Sequence, residues 1–241
     1  MLLTSNPCRR ATIPKKEKHE PNYFQPDTVE QILQALEGEP IKWKAMVHMF
    51  LVTGCRRGEI LGMKWGKVDW ANSQIFIDTS VLYTPEQGLY EDTPKTGGSV
   101  RCIKLPQETM SLLKDYRRWY EAEPLKWGDK WVEKDYLFPR DNGEAMNPGY
   151  VNDWLARFSK KHGLPHINPH AFRHTQASIL CFNGIDIASI SHRLGHTNIS
   201  TTTDIYSHVI KQAEEKVSEC IADVIIKPKD KVVPFPKEKI G

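Results

Sequence analysis

The spacing of apolar residues along the chain predicts a protein built mainly from helices. Val29, Ile32 and Leu36 recur at helical spacing between Pro26, which suits a first helical turn, and Gly38. Similar periodicity marks the remaining helices, several of which end near a glycine. The predicted helices cover, in chain order, residues 26–38, 41–54, 56–63, about 106–121, 147–161, 169–183 and 186–193.

In one region of the chain the apolar period changes from that of a helix to that of a strand. Residues 74–79 and 100–105 both alternate apolar and polar positions, the second imperfectly, which predicts a small antiparallel sheet. The stretch Thr-Pro-Lys-Thr-Gly-Gly-Ser at 93–99 is rich in turn-forming residues and places Lys95 near a turn. The expected fold is therefore mainly α with a small antiparallel β-sheet, an α+β fold.

The two ends of the chain differ from its middle. Residues 1–22 contain three prolines and few apolar residues, which is typical of a linker. From Ile210 to about Ile225 an apolar stripe recurs at helical spacing, and the tail beyond Pro228 is rich in Lys and Pro. The stripe is compatible with an ordinary core helix and with a surface that docks on another protomer, and spacing does not distinguish the two.

Composition excludes several classes of protein. A hydrophobic content of 39% with 26% charged residues is ordinary for a soluble globular protein. The sequence has neither a long apolar run nor a signal-peptide core, so we expect a cytoplasmic protein without a membrane partner. The five scattered cysteines, never paired as CxxC, argue against a disulfide framework or a structural zinc site. The net charge of +3 does not by itself indicate nucleic-acid binding.

Three short blocks bring together residues with related chemistry. They are TGCRRGE at 53–59, PHAFRH at 169–174 and LGH at 194–196, and Tyr206 follows ten residues after the last histidine. Attack on a phosphodiester without a metal requires cations on the non-bridging oxygens, a nucleophile and a proton donor for the leaving oxygen. Arginine suits the first task because its planar fork grips phosphate oxygens bidentately.

Each residue in these blocks has a candidate role. Arg56 and Arg173 are candidate phosphate ligands, and Glu59 lies three residues after Arg56, where it can orient an arginine. His170 precedes Arg173 by three residues, near the expected start of a helix, and an imidazole there can exchange protons near neutral pH. Tyr206 is a candidate nucleophile. Taken singly, each of these residue types is more often structural than catalytic.

The order of motifs TGxRxxE, HxxR, LGH and Tyr resembles the catalytic domain of the tyrosine recombinases, the phage-integrase family, over roughly residues 23–210. The resemblance implies that Tyr206 attacks DNA and forms a 3′-phosphotyrosyl bond, that Lys95 protonates the departing 5′-oxygen, and that His196 contacts a non-bridging oxygen. It implies neither a metal nor another cofactor. The catalytic residues it identifies are Arg56, Lys95, His170, Arg173, His196 and Tyr206.

The resemblance also predicts domain organisation and partners. Residues 1–22 would be the linker from an N-terminal core-binding domain, 23–210 the catalytic domain, and 211–241 a C-terminal helix and tail that contacts another protomer. The expected partner is double-stranded DNA, bound by a homo-tetramer on paired sites, with accessory DNA-bending proteins as further partners. The residues that make up the motifs, together with the Lys- and Pro-rich tail, favour an integrase of a phage or conjugative transposon, which integrates and excises a mobile element.

Three alternatives remain at this point. One is a catalytically inactive DNA-binding or assembly module of the same fold, and another is a type IB topoisomerase, which shares the tyrosine nucleophile. The third is a zinc hydrolase, suggested by four histidines spaced by four residues. Pro165 and Pro169 interrupt the helix that would stack those imidazoles, which disfavours a metal site. The four histidines are His162, His166, His170 and His174.

Overall fold

The computed structural model describes residues 23–93 and 100–196, and it confirms a mainly helical fold with small antiparallel sheets. The helices are α1 (Pro26–Leu36), α2 (Ile41–Thr53), α3 (Arg57–Gly62), α4 (Gln107–Tyr120), α5 (Glu123–Trp127), α6 (Pro148–His162), α7 (Pro169–Phe182) and α8 (Ile187–Leu194). The strands are β1 (Val68–Asp69), β2 (Gln74–Ile77), β3 (Ser80–Thr84), β4 (Gly88–Asp92) and β5 (Arg101–Lys104). The predicted linker and C-terminal helix lie outside the described residues.

Helix α2 is the centre of the core. None of its residues is exposed, as expected for a helix surrounded by other elements. Its Phe50 stacks on Phe172 of α7 with ring centroids 5.6 Å apart, and Phe24 meets the edge of the same Phe172 ring. Burial of these rings joins α2, which leads into the first motif block, to α7, which carries the second.

Helix α2 ends at Gly54, which adopts a left-handed φ of 62°. A Cβ atom here would lie 2.3 Å from Oε1 of Gln176 on α7 and 2.8 Å from Leu194 on α8. Glycine is therefore needed both for the backbone conformation and for the close approach of the two helices. The first motif block is thereby held against the elements that carry the other two.

The strands form two sheets where the sequence predicted one. Strands β1, β2 and β5 make an antiparallel sheet in which Ile75 pairs with Ile103, and β3 and β4 form a separate hairpin that was not predicted. In the stretch that forms β5, Arg101 and Ile103 are buried, whereas Val100 and Cys102 are exposed. Arg101 is charged but occupies an inward position, so the apolar alternation of this stretch is imperfect in the sequence.

No helix within 23–93 and 100–196 is both long and apolar enough to cross a lipid bilayer.

Candidate active site

The second motif block lies at the start of α7, where local sequence signals determine the geometry. Asn168 caps the helix by accepting a hydrogen bond from the Ala171 backbone N–H at 2.9 Å, and Pro169 occupies the first helical position. His170 follows on the exposed side of this first turn, and Arg173 lies one turn further, pointing into the protein. The predicted helix start is confirmed.

Arg173 is the most unusual group of the site. The residue is only 5% exposed, and its Nη1 donates a hydrogen bond to the Gly54 carbonyl at 2.8 Å. Its Nη2 is buried and has no hydrogen-bond partner among the described residues. Burial, followed by the nearby charge of Arg56, lowers the pKa of Arg173 to about 10. A buried donor left unpaired is costly, so this guanidinium is suited to receive an anion.

Arg56 lies at the turn between α2 and α3, where it contacts Glu59 and the Gly195 carbonyl. Its backbone N–H donates to Glu59 Oε2 at 2.8 Å and its Nη1 donates to Glu59 Oε1 at 3.0 Å. Both terminal nitrogens also lie 3.4 Å from the Gly195 carbonyl oxygen. The Arg56 side chain remains 44% exposed. Glu59 therefore orients Arg56, as the spacing predicted, while leaving part of the fork accessible.

The third block forms the end of α8. Gly195 terminates the helix with a left-handed φ of 68°, and the His196 backbone N–H donates to the Ser191 carbonyl at 3.0 Å. Burial, then the charges of Arg173 and Arg56, lowers the pKa of His196 to about 4. Arg56 thus lowers the pKa of both Arg173 and His196, and it also contacts the Gly195 carbonyl, so the three residues lie in one small region.

His170 belongs to the same region. Partial desolvation and the charges of Arg173, Arg57 and Arg56 lower its pKa. His174, one turn further along α7, has a pKa lowered to about 4 by burial, His170 and Arg173. Both imidazoles are therefore neutral at pH 7, a state in which each has one donor and one acceptor nitrogen. The structure brings together four of the predicted catalytic residues: Arg56, His170, Arg173 and His196.

Arg101 on β5 is a residue of the site that sequence reasoning missed. Its side chain is 1% exposed and donates to Glu59 Oε2 at 2.9 Å through Nη2 and to the Arg193 carbonyl at 2.7 Å through Nε. Burial alone would raise the pKa of Glu59, but Arg101 and Arg56 outweigh it and hold that pKa below its ordinary value. The available signal was an arginine two residues before Ile103, on the inward face of a strand.

Two predicted residues, Lys95 and Tyr206, lie outside the described residues, and their roles stay predictions. The four histidines spaced by four do not share a helix. His162 is the last residue of α6 and contacts Glu39 Oε1 at 2.9 Å, whereas His170 and His174 belong to α7. In 23–93 and 100–196, no group of three or more His, Cys, Asp or Glu residues is arranged to hold a metal ion.

A family model and several known proteins are similar to this chain in sequence. Residues 22–213 match the model of the Phage integrase family. A tyrosine recombinase XerC-like protein of Caldanaerobacter subterraneus is 31% identical, over 93% of this chain and 61% of its own length. The ICEBs1 integrase of Bacillus subtilis is 24% identical, over 93% of this chain and 60% of its own length. The chain thus spans about three fifths of the length of these two relatives.

Among solved structures, the Tn1549 transposon integrase in complex with transposon right end DNA is similar with a TM-score of 0.73. The two sequences are 24% identical, and the match covers 86% of this chain and 68% of the other. This similarity shows a shared fold. Since the family match also extends over most of the chain and includes all three motif blocks, the protein belongs to the phage integrase family.

Proposed function

We propose that this chain is the catalytic domain of a site-specific DNA recombinase, which cuts and rejoins duplex DNA through a 3′-phosphotyrosyl intermediate. The observation that carries the proposal is the buried Nη2 of Arg173, unpaired among the described residues, beside the partly exposed fork of Arg56. Two guanidiniums that converge in this way are suited to the two non-bridging oxygens of one phosphodiester. His196, neutral at pH 7, supplies a further N–H donor to the same phosphate.

In the proposed reaction the Tyr206 hydroxyl attacks the scissile phosphorus while His170 accepts its proton. The bond from phosphorus to the 5′-oxygen breaks, and Lys95 protonates that oxygen. A 5′-hydroxyl from a partner strand then attacks the phosphotyrosine, which restores a phosphodiester and releases Tyr206. The lowered pKa of His170 supports its role as a base, because the imidazole is unprotonated before the reaction begins.

The proposed DNA partner is supported by the relatives, and the proposed domain limits follow the sequence. The proposal that the partner is double-stranded DNA is supported by the similar Tn1549 integrase, whose structure is a complex with transposon right end DNA. Integration and excision of a mobile element is supported by the ICEBs1 relative, although the XerC-like relative is more similar in sequence. We assign residues 1–22 to a linker from a core-binding domain, 23–210 to the catalytic domain and 211–241 to a protomer contact. Assembly as a tetramer on paired sites, assisted by DNA-bending proteins, completes the proposal.

A covalent trapping assay tests the chemistry. Native protein and Tyr206→Phe are incubated at high concentration, in EDTA, with a nicked suicide duplex carrying the end sequence of the element. We expect a denaturation-resistant protein–DNA adduct with native protein and none with the variant. DNA binding without an adduct would instead indicate an inactive binding module. Relaxation of supercoiled DNA without strand exchange would indicate a topoisomerase.

A further inference from the structure

The carboxylate of Glu59 is shared by two arginines of different exposure. Oε1 accepts hydrogen bonds from Nη1 of Arg56 at 3.0 Å and from Nη1 of Arg101 at 3.3 Å. Oε2 accepts from the Arg56 backbone N–H at 2.8 Å and from Nη2 of Arg101 at 2.9 Å. Arg101 is buried and Arg56 is partly exposed. One arginine of the pair thus faces the interior and the other faces the proposed phosphate.

Arg101 also contacts the element that carries His196. Its Nε donates to the Arg193 carbonyl in the last turn of α8 at 2.7 Å, and a Cβ on Gly195 would lie 2.7 Å from its Nη1. Its Nη2 lies 3.3 Å from the Sγ of Cys55. Burial raises the pKa of that thiol to about 11, so the sulfur is uncharged at pH 7. Arg101 therefore touches the Arg56 turn and the Gly195–His196 turn at once.

We infer that Arg101 is a positioning residue for the proposed reaction: by sharing Glu59 and holding the end of α8, it directs Arg56 and His196 to one phosphate. The inference rests on the proposed function. Arginine and carboxylate favour a bidentate pair. Without Arg101, Glu59 would have Arg56 as its main counter-charge and would draw the Arg56 fork inward. The end of α8 would at the same time lose the donor that fixes it relative to α3.

Four variants test this inference: Arg101→Met, Arg101→Lys, the double variant Arg101→Met with Glu59→Gln, and Arg118→Met as the matched control. Arg118 lies on α4, is 78% exposed and pairs with Asp115. We measure single-turnover cleavage of the suicide duplex, DNA affinity and the thermal melting of each protein. The control should match native protein in all three, because it removes an equivalent charge away from the site.

We expect Arg101→Met to slow cleavage about 100-fold while DNA affinity changes less than about threefold, since the loss concerns one oriented donor among many phosphate contacts. Replacing Glu59 as well should recover at least about fivefold of the cleavage rate, because Arg56 is then released from the carboxylate. A purely structural role predicts no such recovery. Native-like cleavage by Arg101→Met, or a double variant no faster than the single one, overturns the inference.

If Arg101→Met does not fold, Arg101→Lys decides the matter. Lysine keeps the charge but cannot serve Glu59 and the Arg193 carbonyl together, so cleavage should fall about tenfold in a folded protein. A folded Arg101→Lys variant that cleaves as fast as native protein overturns the inference.

Binding of inorganic phosphate separates this inference from the proposed function. In a Tyr206→Phe background, phosphate is titrated while the NMR signal of the His196 ring is followed. We expect phosphate to shift that signal, and Arg101→Met to weaken phosphate binding at least about fivefold. This result would support the inference even if native protein formed no adduct with DNA. The inference would be refuted if phosphate did not shift the signal in the Tyr206→Phe protein. It would also be refuted if the Tyr206→Phe protein bound phosphate equally tightly with and without Arg101→Met.

Discussion

Replacement of Arg173 by methionine should abolish most catalysis with little loss of stability. The guanidinium is buried, donates once to the Gly54 carbonyl and leaves Nη2 unpaired among the described residues. A pKa of about 10 in place of 12.5 corresponds to about 3 kcal/mol of unfavourable free energy for the charged form in the folded protein. Methionine removes this cost and packs as an apolar chain of similar length.

The substitution also has a cost of comparable size. The Gly54 carbonyl loses a charged donor, and an unsatisfied buried acceptor costs about 1–3 kcal/mol. The two effects oppose one another, so the free energy of unfolding should change by less than about 2 kcal/mol. For the cleavage rate, no second effect opposes the loss of the guanidinium. Loss of a donor that stabilises charge in the transition state costs about 3–4 kcal/mol, and the cleavage rate should fall about 100- to 1,000-fold.

Two measurements check this prediction. Urea denaturation gives the free energy of unfolding of native protein and Arg173→Met, and single-turnover trapping on the suicide duplex gives the cleavage rates. DNA should also raise the melting temperature of native protein more than that of the variant, because the variant lacks a phosphate ligand. The reasoning is refuted if Arg173→Met cleaves within about tenfold of native protein, or if it loses more than about 4 kcal/mol of stability.

Three further predictions concern the surrounding structure. The pKa values of His174 and His196 are lowered to about 4 in the folded protein, so between about pH 6.5 and 4 the unfolded chain binds more protons than the folded one. The free energy of unfolding should therefore decrease as the pH falls through this range. Urea midpoints measured across this range should show the decrease, and a double His→Gln variant should lessen it. Gly195→Ala should lower the free energy of unfolding by at least about 1 kcal/mol and slow cleavage, because φ is 68° and the new Cβ would collide with Arg101. Equal melting temperatures of this variant and native protein would contradict this prediction. Deletion of residues 213–241 should weaken synapsis in a gel assay more than cleavage, and equal loss of both would contradict a protomer contact.

Seven of the eight described α-helices could be predicted from sequence, because their limits depend on local chemistry. Asn168 and Pro169 begin α7, and Gly54 and Gly195 end α2 and α8 by adopting left-handed conformations. Such signals act over one or two turns and need no distant partner. The motif blocks likewise pointed to Arg56, His170, Arg173 and His196, because the order of the motifs resembles that of the phage integrase family.

The sheets and the interior of the site depended on residues far apart in the chain. The hairpin of β3 and β4 lacks a strong apolar alternation and is stabilised by its packing on α3. Arg101 resembles an ordinary strand residue until β5 is placed beside Glu59 and the end of α8, 42 and 92 residues away in sequence. The sequence by itself thus determined every described α-helix except the short α5 (Glu123–Trp127), the family and most of the chemical groups of the proposed site. Only the tertiary structure decided which of those groups are buried, unpaired or held by Arg101, because burial and charge pairing arise from neighbours that local sequence does not specify.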